Sequence, residues 1–351
     1  MTTLPAPIGR ALARTYDGLA RLPMTVLAVL VALQTAFLLH SRSLWYSDEV
    51  RYADAYRGVV QAGRWLVLQL NGQPYPDKPP VYFWFIALMD KLVPAGGDAH
   101  FFVAAAVSGL LFVWAGYALA RGCGLGRGTG LGAGLVLLST LFVVAVLHYS
   151  RMDLLFAACI VTSWACLARD ARSPEPTRWP TAALALAGLA TLIKGPLGLV
   201  FPILAAAIFW LWRGQPRRLA TRAMGLGWLA CLALLLAWLI GAWAREGGEF
   251  LRVVFVQQIF ERATNTFHHK EGPWYYFLAL PAAFLPWTAA LGGLPWRRFA
   301  RLGGVASRTR RDPAAAGRAF LWIAWVSAFG LLSLLSGKVF IYVLPLLAPL
   351  A

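Results

Sequence analysis

The run "SLWYSDEVRYADAYRGV", residues 43–59, sets adjacent carboxylates, Asp48 and Glu49, among arginines and tyrosines directly after the apolar run 22–39. A chain that turns polar so abruptly is leaving a membrane core, since about 20 apolar residues are what a helix needs to cross one. Within the run, Ser47 is expected to cap a helix over about 48–62, with both acids in its first turn and Gly63 at its end. Successive helical residues point about 100° apart, so only one acid can aim at a shared site. Asp48 shares a face with Tyr52, four residues on.

Working outward, the composition agrees. The 351 residues are 59% hydrophobic and 13% charged with 16 Trp, well beyond a soluble domain of average make-up. Mean hydropathy is +0.62. The net charge of +17 sits in short loops between apolar runs, which makes it an orientation signal and excludes a nucleic-acid partner. Cys123, Cys159, Cys166 and Cys231 show no paired or zinc-binding spacing, and no disulfide is expected. Arg10, Arg14 and Arg21 precede the first run without a small-residue cleavage site after it, the pattern of an uncleaved signal anchor with a cytoplasmic N-terminus.

Further spans are readable at about 100–120, 131–148, 152–168, 181–193, 197–212, 223–243, 274–296 and 319–336. Arg121 and Arg127, then Arg169, Arg172 and Arg178, then Arg213, Arg217, Arg218 and Arg222, then seven Arg between 297 and 318 occupy alternate loops, which places that side in the cytoplasm. Val81 to Met89 is too short to span, so residues 42–99 read as one outer excursion with a juxtamembrane helix and a shallow or re-entrant segment at 81–93; a second outer loop covers 245–273. The expected whole, residues 1–351, is one all-α polytopic domain of about nine spans plus a truncated last one.

This topology puts all five Lys and all five His on the outer side. Snorkelling accounts for Lys91 and Lys270. The others have more pointed settings. Pro74, Pro76, Pro79 and Pro80 stiffen the path around Asp77 and Lys78; "HYSRMDLL" supplies Arg151 and Asp153, "LIKGPLG" Lys194, "FHHKEGPWYY" His268 and His269, and "LSGKVFIY" Lys338. Together they gather carboxylates, ammonium groups, imidazoles and aromatics at one boundary, a setting suited to an anionic lipid headgroup and a polar acceptor. Any one of them alone is an ordinary interfacial charge. Arg51 and Arg151 are further candidates for a phosphate, and Tyr52, Tyr75, Asp153 and Tyr342 for substrate contacts.

In combination, "SDEVRYADA", "GRWLVLQLNGQPYPDKPPVYFW", "LIKGPLG", "HHKEGPWYYFLALPAAFLPW" and "LSGKVFIYVLP" resemble the membrane glycosyltransferases of the lipid A aminoarabinose transferase and protein O-mannosyltransferase type. The resemblance implies a GT-C helical bundle whose first periplasmic loop carries juxtamembrane helices. It implies an inverting hexosyl- or pentosyltransferase in the bacterial inner membrane, taking its sugar from a polyprenyl monophosphate. Asp48 then matches the catalytic base, with Glu49 beside it, and Lys78 the donor-phosphate contact; Glu49 is expected to pair with Arg51 or Lys78 or to order the loop. In the aminoarabinose branch the acid before that Lys, here Asp77, and the later His can hold a divalent metal, and either His268 or His269 is the match. Relatives continue with more spans and usually a soluble periplasmic domain, so the chain, which stops inside an apolar stretch at Ala351, is expected to lack the C-terminal part of the family fold.

No glycine-rich phosphate loop suggests a nucleotide-sugar site. The acceptor reads as a glycolipid, lipid A slightly favoured, or as protein hydroxyls. A flippase for lipid-linked sugars would need charges near mid-membrane and paired broken helices, and an inactive assembly partner is the third reading.

Overall fold

The computed structural model describes residues 6–93, 96–261, 271–291 and 312–351. Helix α1 (Ala6–Leu19) meets α2 (Pro23–Thr35) at 96°, and a four-residue α3 (Leu38–Ser41) finishes the first apolar run, which is therefore not one continuous helix. Helix α4 (Ser47–Ala62) forms as the sequence predicts and ends at Gly63 in the left-handed conformation, φ 66°. Its cap is Tyr46 rather than Ser47, because the Glu49 carboxylate reaches back to accept the Tyr46 N–H at 3.3 Å.

A small hairpin follows, β1 (Gln69–Leu70) against β2 (Gln73–Pro74), antiparallel, with Leu70 opposite Gln73. Asn71 and Gly72 both have positive φ, the two-residue turn an Asn-Gly pair favours. The turn is pinned to α4 where the Asn71 N–H donates to Asp54 at 2.7 Å.

Helix α5 (Val81–Leu92) takes the place of the shallow segment. It is about 18 Å long at 1.5 Å per residue and does not span. Protein, not lipid, covers its core face: Tyr82, Phe83 and Ile86 are wholly buried where it packs on α4 and α6.

The bundle proper runs through α6 (Ala99–Gly122), α7 (Arg127–Ser139), α8 (Leu141–Leu147), α9 (Asp153–Arg172), α10 (Trp179–Lys194), α11 (Leu197–Trp212) and α12 (Arg222–Arg252). Among the described residues α6, α9, α12 with its continuation to Gln258, and the later Ala315–Leu334 are long and apolar enough to cross a membrane; two bent pairs could each add one span. Helix α9 is the central post, with 89% of its apolar window buried inside the protein against 22% for α12, which faces outward. Close approach of α6 to α9 depends on glycine: a Cβ on Gly122 would stand 2.6 Å from the Ala165 carbonyl.

Two expectations change here. The span read at 131–148 is broken at Thr140, where α7 and α8 bend by 69°, and the freed Leu141 N–H donates to the Leu285 carbonyl at 2.8 Å. Leu285 itself lies between α13 (Tyr275–Ala283) and α14 (Trp287–Leu291), so the carbonyl of one helix break satisfies the amide of the other. Residues 245–261, read as outer loop, continue α12 past a non-helical Gly247 and then as a π-helix, Val253–Glu261. Helix α15 (Pro313–Leu334), a 3₁₀ turn (Phe340–Val343) and α16 (Leu344–Leu350) close the described chain, with Leu344, Leu346 and Leu347 buried against α9 and α6.

Candidate active site

Helix α9 begins and α10 ends at the same level of the bundle. Asp153 at the first position of α9 and Lys194 at the last of α10 complement the two helix dipoles, and packing of α9 on α10 brings them into direct ion-paired contact. The Asp153 carboxylate is 1% exposed and takes a second partner, Arg151 Nε, at 2.9 Å. Arg151 lies in the short connector between α8 and α9 and turns its other arm to Asp48 at 2.6 Å; Asp48 is held in turn by Arg51, also at 2.6 Å. The result is an unbroken ladder, Arg51–Asp48–Arg151–Asp153–Lys194, across α4, the connector, α9 and α10. Burial opposes the Arg151 charge, but Asp153 and Asp48 outweigh it and hold the guanidinium cationic.

Both Asp48 oxygens are engaged, Oδ1 by Arg51 and Oδ2 by Arg151. Each oxygen keeps a second lone pair, so the two guanidinium contacts orient the carboxylate without filling its acceptor sites. Its side chain keeps 22% exposure, so it is the rung an incoming hydroxyl can reach, whereas Asp153 is closed off.

The proline-stiffened loop comes down beside the ladder. Lys78 pairs with Asp77 at 3.2 Å, and Asp77 accepts the Tyr75 hydroxyl at 3.0 Å. Burial first, then the Asp77 carboxylate, push the Tyr75 phenol above its ordinary range, while Arg51 pulls the other way; the loop therefore lies within electrostatic reach of the α4 start. Tyr52, buried below Asp48, is raised by burial and by Asp153, so it stays a neutral phenol.

Glu49 keeps only the last of its expected roles, ordering the loop. It pairs neither with Arg51 nor with Lys78: it is wholly buried, forms an ion pair with Arg42 at 2.6 Å and accepts the Ser150 N–H at 2.9 Å. Arg42 also donates to the His148 carbonyl and stacks on Tyr149 with 4.8 Å to the ring centroid. Glu49 thus ties α4 to the connector that carries Arg151. Arg42 was missed in the sequence; its only signal is a lone charge at the end of an apolar run. Trp45, Tyr46 and Tyr149, clustered with centroids 5.4 to 6.5 Å apart, were missed as well.

The two remaining lysines part company. Lys194 faces the Tyr342 ring at 4.3 Å, so Tyr342 joins the ladder's end. Lys338 is 2% exposed and donates to the carbonyls of Leu332 at 3.0 Å, Ser333 at 2.7 Å and Leu335. That is a cap on the last turn of α15, not a cation held out to a phosphate. His268 and His269 lie outside the described residues. Asp77, their expected partner at a metal, is engaged by Lys78 and Tyr75; among the described residues no group of three His, Cys, Asp or Glu could hold an ion.

Fold and site define an all-α, polytopic membrane protein of the GT-C type, a helical bundle with a charged cluster where its first loop meets the bundle end. Residues 77–241 match the family model of dolichyl-phosphate-mannose-protein mannosyltransferases. The chain is 28% identical over 345 residues to undecaprenyl phosphate-alpha-4-amino-4-deoxy-L-arabinose arabinosyl transferase 2 of Pseudomonas fluorescens, covering 97% of this chain and 56% of that protein. It is 31% identical to the corresponding transferase of Edwardsiella ictaluri, covering 93% and 57%. Among solved structures, ArnT from Cupriavidus metallidurans bound to undecaprenyl phosphate superposes with a TM-score of 0.75 at 25% identity over 95% of this chain and 58% of that one. The chain spans little more than half the length of these relatives.

Proposed function

We propose that the protein is an inverting glycosyltransferase that moves a sugar from a polyprenyl monophosphate to an acceptor hydroxyl or phosphate on a lipid A-type glycolipid, at the periplasmic face of the inner membrane. The observation that carries this reading is the ladder beside Lys78. In the ladder with Lys78, Asp77, Arg42 and Glu49, five cations face four carboxylates, leaving a unit of positive charge for an anionic headgroup. The named relatives are transferases of undecaprenyl phosphate-linked aminoarabinose, which favours this donor class.

The chemistry follows from the pairing. A donor phosphate competes with Asp48 for Arg51 and Arg151, and once either turns to phosphate an Asp48 oxygen is free. For a hydroxyl acceptor, Asp48 then takes its proton as the oxygen bonds to the anomeric carbon; a phosphate acceptor attacks with an oxygen already ionised. The carbon–oxygen bond to phosphate breaks on the opposite side, its electron pair stays on the phosphate, and Lys78, Arg51 and Arg151 stabilise the added charge. Asp153 and Lys194 hold Arg151 in place, Tyr52 packs beneath Asp48, and Tyr75 and Tyr342 line the approach.

Mass spectrometry of envelope glycolipids and glycoproteins, with and without the gene, tests the reading: a glycosylated lipid should disappear on deletion. Loss of a glycoprotein instead would move the acceptor to protein. Sidedness is checked by an impermeant thiol reagent, which should label Leu70→Cys from the periplasm and spare Glu175→Cys.

A further inference from the structure

At the end of the bundle away from Asp48, α1 presents a surface that the proposed transfer does not use. Ile8, Leu12, Tyr16 and Leu19 recur at intervals of four and three and form one stripe; Arg10, Arg14 and Asp17 fall on the opposite side. Packing inside the protein does not account for the stripe, because Ile8, Leu12 and Leu19 are 49%, 56% and 43% exposed.

Tyr16 alone of the four docks on the bundle. Its hydroxyl donates to the Gly128 carbonyl at 2.6 Å, and a Cβ on Gly132 would stand 3.1 Å from the Tyr16 hydroxyl oxygen, so two glycines of α7 make the notch that receives it. This fixes the direction of α1. It meets α2 at 96°, and α2 runs alongside α6 and α7, so α1 lies across the bundle end rather than along it. Fourteen residues, about 21 Å, with three charges do not cross a membrane. The same end carries exposed Arg21 and Arg127, and Arg172 lies against Gly124 in the α6–α7 turn.

We propose that α1 is a lipid-surface helix: its stripe of Ile8, Leu12 and Leu19 enters the headgroup boundary of the leaflet at the Arg-rich end, and the charges of Arg10, Arg14, Arg21 and Arg127 draw that end to anionic phospholipid headgroups. Charge complementarity selects the occupant. Four arginines with only Asp17 among them suit an acidic lipid surface and would repel a second copy of the same basic end. Anchoring this end fixes the depth of α6 and α9, and with them the depth at which the Asp48 cluster meets a lipid-borne substrate.

The test uses the full chain in phosphatidylcholine vesicles with increasing phosphatidylglycerol. The four native cysteines are buried, so Leu12→Cys or Asp17→Cys can each carry a nitroxide selectively. The label at 12 should lose access to a water-soluble nickel chelate and gain collisions with oxygen as phosphatidylglycerol rises, while the label at 17 stays open to nickel. Arg14→Gln with Arg21→Gln should weaken the phosphatidylglycerol response, each change by about fivefold. Both substituted arginines are exposed, and an unchanged melting temperature verifies the fold. Equal nickel access at 12 and 17 at every lipid composition overturns the proposal. Disulfide formation between position 12 of two chains overturns it too, by showing a second copy on the stripe.

Discussion

At the Arg-rich end, buried Arg218 donates to the carbonyls of Asp170 and Ser173 at 2.9 and 3.0 Å and stacks on Trp210, and Arg169 stacks on Trp179. At the opposite end, Arg151 divides itself between two carboxylates on different elements. Arg218 satisfies backbone acceptors that a helix end leaves open, and its ion pair with Asp170 is longer, 3.7 Å, so no ligand can take it without orphaning a carbonyl. Arg151 is paired with other charges and can be re-paired by a phosphate. Lys338 and Lys194 repeat the contrast: one ammonium is spent on helix carbonyls, the other on Asp153 and the face of Tyr342.

The sharpest way to break this contrast is Asp48→Asn. It keeps the shape and removes the proton acceptor, so transfer should fall by about 10²- to 10⁴-fold while donor binding holds or tightens, because the neutral amide no longer competes for Arg51 and Arg151. Most of the activity surviving would reduce Asp48 to a charge at a helix start.

Next in size is Asp153→Ala. It strands Lys194 and one arm of Arg151 in a buried site and should cost about 3–5 kcal/mol, read as a large drop in thermal stability in detergent. A parent-like melting curve would mean that the ladder does not hold α9 to α10.

Lys78→Ala should weaken donor binding by about tenfold, the scale of one charged hydrogen bond, whereas exposed Lys91→Ala should leave it alone. Titration with polyprenyl phosphate distinguishes them, and equal small effects would return Lys78 to the status of an anchoring charge. The smallest expected change is Lys338→Met, which should lower stability by about 1–2 kcal/mol without altering donor affinity. A donor defect in that variant would show that Lys338 leaves its carbonyls during turnover.

Much of the candidate site was legible as a set of charges at the ends of apolar runs: Asp48, Lys78, Arg151, Asp153 and Lys194 all stood out that way. Their pairing was not. Asp153 and Lys194 are 41 residues apart, and nothing local joins them until α9 and α10 pack side by side. Glu49 looked like a companion to Asp48 and became the tie between α4 and the connector through Arg42, a residue with hardly any local signature. The Asn71–Gly72 hairpin carried a readable turn signal that the prolines around it obscured. The break at Thr140 was hidden because Leu141 to Leu147 are as apolar as the helix before them, and the amide it frees is satisfied by Leu285, far off in sequence.

Sequence alone determined that this is a helical membrane protein, where most helices start and stop, and which end collects arginine and which collects mixed charge. Those properties are sums over neighbouring residues: hydropathy over a window, a cap, a glycine past a helix end. Tertiary structure alone decided which carboxylate meets which cation, which acid is sealed and which stays reachable, and which lysine is already committed to the backbone. Such outcomes depend on distances of a few ångströms between elements distant along the chain, and only the packing of α4, α9 and α10 sets those distances.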